Sequence, residues 1–373
     1  MKHRVEVVID LEALVRNYRK IAAHVEPLKV LVVLKANAYG LGVAPYAKAL
    51  YEAGARDFGV AEPFEALELK KVLNQNANIQ ILSSILPDEI EEMVEADIIL
   101  PIIDLPSAQL ISQAAEKLGK KARVHFKLDT GMGRLGILAD EALETIEKVR
   151  KLSNLETEGI FSHCPMAYDP KDPFTAKQIA RFKSIVEEAN ARGCIFKKIH
   201  IAASDAINNF PEAFSAPFNM VRTGINLHGS FDPYGLKALE VEPTLTLKTR
   251  VAQVRMLPAG TTLGYGRTWC LNAPTKVATI SAGYADGLPL ALTNRGQVVI
   301  GGKRCKIIGR ISMDYTTVDV SDVEDVKPGD EVICFGKFGN DSITPDDWAQ
   351  FKGTHAYDII CSLGSRVERK VQI

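Results

Sequence analysis

The stretch VLVVLKANAYGLG, Val30 to Gly42, frames the reading of the whole chain. Val30 to Leu34 is an uninterrupted apolar run, short enough for a strand and apolar enough to be buried on both faces. Strands of that kind belong to parallel sheets covered by helices. Lys35 follows at once, although lysine is among the residues least often buried. Small and turn-prone residues come next, with a single tyrosine, Tyr39. An amine at the mouth of a buried strand is a surface residue in most proteins and a nucleophile in some.

Working outward, the same texture repeats. Apolar runs at Val30–Leu34, Asp57–Ala61, Ile79–Ser83, Asp97–Ile102, Ala122–Lys127, Glu156–Ser162, Lys198–Ala202 and Met220–Leu227 alternate with amphipathic stretches. In DLEALVRNYRKIAAHV, Leu11, Leu14, Val15 and Tyr18 share one helical face. LPDEIEEMVEA has a proline and acids near its start, as a helix N-terminus does. Strands alternating with helices about 20–35 residues apart predict a (β/α)8 TIM-type barrel, with a doubly wound open sheet as the competing arrangement.

After Gly235 the pattern changes. TLTLKTRVAQVRML, KVATISAGYADG, QVVIGGKRCKIIGRIS, YTTVDVSDV and DEVICFG are β-like segments punctuated by PAG, RG, GG and KPGD turns. The expectation is a barrel over residues 1–235 and a mainly antiparallel β domain over 236–373. Helical pieces are expected near PDDWAQF and HAYDIICSL, and residues 1–9 are candidates to pair with the second domain.

Composition narrows the class. With 45 Lys+Arg against 46 Asp+Glu, nothing marks a surface for nucleic acid or an anionic membrane. The length of 373 residues suits two domains. No apolar run approaches the roughly 18 residues of a transmembrane helix, and the N-terminus reaches charge too soon for a signal-peptide core. Six scattered cysteines without a CxxC pair suggest neither a disulfide framework nor a zinc site, and fit a reduced cytoplasm. No metal is expected.

In a barrel the active site lies at the carboxyl ends of the strands. There the chain places Lys35, then Lys127, Asp129 and Arg134 in HFKLDTGMGRLG, then Ser162-His163. Ser204 in AASDA and Arg222 with Gly224 in VRTGIN complete the rim. Each has a plain explanation: an ion pair for Lys35 or Arg222, a tight turn for the glycines, a core histidine, a helix cap for Ser204. One shared site explains them together. An amine, arginines, and backbone donors after the seventh and eighth strands, where barrels commonly bind phosphate, point to a Schiff base with a phosphate-bearing aldehyde. Pyridoxal phosphate fits these features, and so does an aldolase-type Schiff base with a sugar phosphate.

With these residues in view, the chain resembles the alanine racemases, pyridoxal-phosphate enzymes that join an (α/β)8 barrel to a C-terminal β domain. VVLKANAYGLG resembles the cofactor-lysine motif, KLDTGMGRLG a second family signature and VRTGI a third. PAGTTLGYGRTW, SAGYADGLP, IIGRISMDYTTVDV and YDIICSLGSRV carry the likeness through the β domain. The resemblance implies Lys35 as the lysine that forms the aldimine. It implies Tyr39, Ser204, Gly224, Ile225 and Tyr357 around the cofactor phosphate, Arg222 at the pyridine nitrogen and His163 behind the ring. Arg134 would lie near the phenolic oxygen and the substrate carboxylate, braced by Lys127, which members of the family often carry as a carbamate. Tyr265 would be the second base and Met313 would offer its backbone amide to the substrate carboxylate. Both would reach across a homodimer into the partner's site.

The implied activity is interconversion of L- and D-alanine, supplying D-alanine for peptidoglycan. Both bases have reference pKa values near 10, so Arg134 and Arg222 are expected to lower them by their charge. Some positions depart from the family. Ala203 stands where asparagine is usual, Thr223 and His228 where proline and tyrosine are common, and Leu290 where an arginine usually follows GYADGxP. RVERKV replaces RVPR at the tail. Competing readings are a racemase of broader range, acting for example on serine, a barrel-type amino-acid decarboxylase, and a non-catalytic pyridoxal-phosphate carrier. The decarboxylases put a carboxylate at the pyridine nitrogen, and the carriers lack a β domain.

Overall fold

The computed structural model describes residues 3–73, 76–231 and 238–372. The eight expected barrel strands form at Lys29–Val33, Asp57–Val60, Asn78–Ile81, Leu100–Ile102, Ala122–Asp129, Leu155–Phe161, Lys198–His200 and Met220–Thr223. The first strand pairs in parallel with both the second and the eighth, Leu31 lying opposite Asp57 on one side and Arg222 on the other. A parallel bridge between Gln80 and Ile99 joins the third strand to the fourth. The Arg222 amide donates to the Ala202 carbonyl at 3.0 Å beside the seventh. The ring is therefore closed, and the chain is a barrel and not an open sheet.

The double-sided burial read from VLVVL is visible strand by strand. Leu31 and Val33 cluster with Met220 and Leu82 in one small apolar group, while Val30 and Val32 join the large core shared with the helices. The preceding helix, Leu11–His24, is capped by Asp10, whose carboxylate accepts from the Ala13 amide at 2.8 Å. It buries Leu14, Tyr18 and Ile21, so its apolar stripe faces the barrel as the 3.6-residue period requires. One expected boundary shifts. The run Met220–Leu227 is strand only to Thr223; at Gly224 the backbone turns to φ −139°, ψ −84°, and Ile225–His228 forms a short 3₁₀ turn. Those apolar residues are buried by the turn and not by a ladder.

The second unit is a nine-stranded sheet organised around the long strand Leu245–Leu257. That strand pairs antiparallel with Thr275–Ile280 and with Glu331–Phe338. The N-terminal strand Glu6–Asp10 also pairs with it antiparallel, and pairs in parallel with the C-terminal strand Glu368–Gln372. The first and last described strands thus lie in one sheet. Helices Pro345–Lys352 and Ala356–Cys361 lie between the last two strands in sequence. The expected division at 235/236 falls within 232–237, outside the described residues. Among the described residues no helix is long and apolar enough to cross a membrane.

Candidate active site

The first barrel strand runs into a turn of unusual hand. Ala36, Asn37, Ala38 and Tyr39 have φ of 53°, 54°, 52° and 59°, so Lys35–Gly40 is one turn of left-handed helix. Left-handed helix costs an L residue about 1–2 kcal/mol, and such backbone persists where its surroundings over-determine it. Here the Asn37 amide donates to Glu65 Oε1 at 3.2 Å, while Glu65 Oε2 accepts from the amides of Ala61 and Glu62 at 2.9 and 3.1 Å. Asn37 Oδ1 in turn accepts from the Val43 amide at 2.8 Å. Residues four apart lie about one helical turn apart. Lys35 and Tyr39 accordingly open on the same cavity.

That cavity, of about 750 Å³, lies at the carboxyl end of the strands. Lys35, Tyr39, Lys127, Arg134, His163, Ser204, Arg222, Gly224 and Tyr357 all line it. Ile225 is buried next to Gly224. Tyr265 and Met313 are elsewhere, on the β unit, with 73% and 52% of their surfaces exposed.

Each lining group is held by its own local structure. After the fifth barrel strand, Asp129 accepts from the amides of Gly131 at 2.8 Å and of Gly133 and Arg134 at 3.1 Å, folding GMGRLG into a loop that presents Arg134. Burial tends to raise the Asp129 pKa, but these amide donors outweigh it and the net direction is down. Gly136 is required there: at φ 126°, a Cβ would lie 2.7 Å from the Lys127 carbonyl. Lys127 Nζ donates to the Leu82 carbonyl.

Arg222 is fixed to the barrel interior through its two terminal nitrogens. Its Nη1 donates to His200 Nδ1 at 2.6 Å, and its Nη2 to the carbonyls of Ser162 and Ile201 at 2.8 and 2.9 Å. His200 stacks on Phe161, with centroids 5.1 Å apart and planes 5° from parallel. Because Nδ1 accepts from a guanidinium, His200 is the neutral tautomer protonated at Nε2. Burial first and Arg222 second hold its pKa far below the ordinary histidine value.

At the opposite side, Tyr39, Ser204 and Gly224 form a polar cradle. The Gly224 amide donates to Ser204 Oγ at 3.0 Å. A Cβ on Gly224 would fall 2.2 Å from the Tyr39 hydroxyl, so only glycine admits that hydroxyl. The Tyr39 and Tyr357 rings lie 5.6 Å apart.

The electrostatics are one-sided. Among the described residues no carboxylate lies within ion-pair distance of Lys35, Lys127, Arg134 or Arg222. Burial and then Arg134 lower the Lys35 pKa; solvent reaches its side chain along the cavity, while protein surrounds it on the other sides. Burial, reinforced by Arg134 and Arg222, brings the Lys127 amine down to about 7. Burial alone brings Arg222 to about 10, so it keeps its proton at neutral pH. His163 is pushed well below its ordinary value by burial and by Arg222.

Sequence reading missed two supporting residues. His200 sits at the end of the seventh strand in KIH, where period-2 alternation would have pointed its ring inward with Lys198. Glu65 closes the capping box that Glu62 opens at the start of helix Pro63–Val72. The box was readable from EPFE, but its third hydrogen bond, to Asn37, depends on the fold.

The cavity suits a phosphate-bearing aromatic aldehyde: an amine, a cationic wall, and a hydroxyl-and-amide cradle that a side chain at position 224 would fill. Comparison with known proteins agrees. The model for the alanine racemase N-terminal domain matches residues 9–232, and that for the C-terminal domain matches 244–371. The "Alanine racemase 2" of Caldanaerobacter subterraneus subsp. tengcongensis is 38% identical over 366 residues, covering 97% of this chain and 93% of that protein. The crystal structure of alanine racemase from D-cycloserine-producing Streptomyces lavendulae superposes with a TM-score of 0.93 at 33% identity, covering 100% of this chain and 98% of that one. That from Bartonella henselae, with covalently bound pyridoxal phosphate, gives a TM-score of 0.89 at 33% identity and covers 100% of both chains.

Proposed function

The chain belongs to the alanine racemase family of pyridoxal-phosphate-dependent isomerases, and we propose that it interconverts L- and D-alanine using Lys35 and the partner subunit's Tyr265 as opposed bases. The observation that carries this reading is the gathering of Lys35, Lys127, Arg134 and Arg222 around one cavity, none of them in an ion pair with a described carboxylate.

Pyridoxal phosphate, when bound, supplies an aldehyde for the substrate amine and a ring that delocalises negative charge from Cα. Tyr39, Ser204, Gly224, Ile225 and Tyr357 would hold its phosphate. Arg222 would face its ring nitrogen and His163 would lie behind the ring. Because a guanidinium does not readily release a proton, Arg222 would donate a hydrogen bond there without protonating the ring. His200 and the carbonyls of Ser162 and Ile201 hold its guanidinium in place.

Lys35 Nζ, lowered by burial and by Arg134, takes or returns the α-proton on one face. Tyr265 Oη does the same on the other. A positioned group of this kind contributes about 10²–10⁴ in rate per transfer. Arg134 and the Met313 amide would hold the substrate carboxylate, and Tyr357 with Tyr265 would leave room for only a small side chain. With its pKa near 7, Lys127 is partly neutral at physiological pH, the form that reacts with carbon dioxide. A carbamate there would set a negative charge where the amine now feels Arg134 and Arg222.

The homodimer is supported by the exposure of Tyr265 and Met313 on the β unit. Free thiols at all six cysteines support a cytoplasmic setting, where the D-alanine formed would serve peptidoglycan synthesis. Proton exchange in heavy water tests the two-base assignment. Tyr265→Phe is expected to suppress α-proton exchange from L-alanine by about 10²-fold or more while sparing exchange from D-alanine. Equal residual exchange of the two enantiomers would overturn it.

A further inference from the structure

The C-terminal strand Glu368–Gln372 carries an arginine whose partners are unusual. Arg369 Nε donates to the Gly40 carbonyl at 3.0 Å. Its Nη1 donates to the carbonyls of Gly364 and Val367 at 2.7 and 2.6 Å, and its Nη2 to that of Leu363 at 2.9 Å. A guanidinium has five N–H groups in a fixed planar fork. Here the bonds run to backbone carbonyls on two separate segments, and among the described residues no carboxylate pairs with it. A side chain spent this way is not serving surface charge.

The two segments are the ones that matter most to the cavity. Gly40 ends the left-handed turn that begins at Lys35 and carries Tyr39. Leu363 and Gly364 directly follow helix Ala356–Cys361, which carries Tyr357. Arg369 itself does not line the cavity. A left-handed turn ends with carbonyls that no continuing helix can satisfy, and the chain leaves this one through Gly42 at φ 99°. The Gly40 carbonyl therefore takes its donor from a residue 329 positions away.

We propose that Arg369 is a positioning residue for the racemase reaction: by bridging the Gly40 carbonyl to the segment after Tyr357, it sets where Lys35, Tyr39 and Tyr357 stand around the cofactor. The fork geometry makes the role specific to arginine. A lysine is a single point charge and reaches one side of the bridge, not both. The proposal rests on Lys35 as the catalytic amine, and it adds a residue that touches neither cofactor nor substrate.

The test uses full-length enzyme with Arg369→Lys, Arg369→Gln and Arg369→Ala, and Lys370→Gln as a control on the same strand, where Lys370 is an exposed partner of Glu6 at 3.8 Å. Melting temperature, pyridoxal-phosphate dissociation constant, and kcat and KM at saturating cofactor are measured for each. The Arg369 variants are expected to fold, to bind the cofactor about tenfold or more weakly, and to lose about 10- to 100-fold in kcat, with KM for alanine little changed. Added guanidinium is expected to restore part of the kcat of Arg369→Ala. Lys370→Gln is expected to match wild type. A loss confined to melting temperature, failure of both Arg369→Lys and Arg369→Gln to fold, or wild-type cofactor binding and kcat in Arg369→Lys would each overturn the inference. Full activity in Lys35→Ala would instead overturn the catalytic reading on which it stands.

Discussion

The two ends of the barrel treat cations in opposite ways. At the amino end, Lys198 meets Asp57 at 2.9 Å and Arg123 meets Glu158 at 2.8 Å. Arg123 Nη2 also donates to Asn78 at 2.7 Å. At the carboxyl end, Lys35, Lys127, Arg134 and Arg222 line one cavity, and none of them forms an ion pair with a described carboxylate. Removing charge from water is costly unless it is paired, so the paired end is a structural solution, while Lys127 and Arg222, buried without a carboxylate partner, await anions. A cofactor phosphate and a substrate carboxylate would provide them. What the contrast teaches is that a buried lysine is not informative by type. Its missing partner is.

Exchanging a residue at each end should separate function from stability. Lys35→Ala at the rim is expected to cut kcat by about 10³-fold or more, with little change in melting temperature, since it removes a cation that no carboxylate neutralises. Asp57→Ala at the floor removes the nearer counter-charge of Lys198 and leaves it only Glu158 at 3.9 Å. Breaking a buried pair from one side costs about 3–5 kcal/mol, to be read as a lower urea midpoint, while kcat of the remaining folded enzyme stays near wild type. If the rim variant unfolds and the floor variant loses only activity, the contrast is wrong.

A smaller effect sharpens it. Lys127 gives up its proton near pH 7 in the folded protein, whereas an unfolded lysine keeps it to about 10.4. Between those values the unfolded chain binds more protons, so this residue makes stability rise with pH, by at most about 1.4 kcal/mol per unit. Below about pH 7 both states are protonated and the slope vanishes. In carbon-dioxide-free buffer, the stability of wild type relative to Lys127→Met should therefore climb from pH 7 to pH 10. A flat difference would mean that the amine is not held in its lowered state.

Most of the barrel was legible because its strands are apolar on both faces, a pattern that survives without knowledge of contacts. VLVVL divides into Leu31 and Val33 on one side and Val30 and Val32 on the other. The rim residues were legible because strand ends in a barrel converge. Three things were not. The left-handed turn at Ala36–Tyr39 is a tertiary imposition, held by Glu65, Asn37 and Arg369, and no local propensity announces it. The end of the eighth strand at Thr223 was hidden because Ile225 and Leu227 alternate with Asn226 as residues of a strand would. The four-carbonyl grip of Arg369 joins the turn after the first barrel strand to the strand Glu368–Gln372, and sequence distance conceals it.

The central claim is that each site takes Lys35 from one chain and Tyr265 from the other, and subunit mixing tests it most directly. Lys35→Ala and Tyr265→Ala enzymes, each inactive alone, are unfolded together and refolded in equal amounts with pyridoxal phosphate. If the bases come from different chains, half the dimers are mixed and each of these has one intact site. Activity should then return to roughly a quarter of the wild-type value. If mixed dimers form and activity does not return, both bases belong to one chain and the account is wrong.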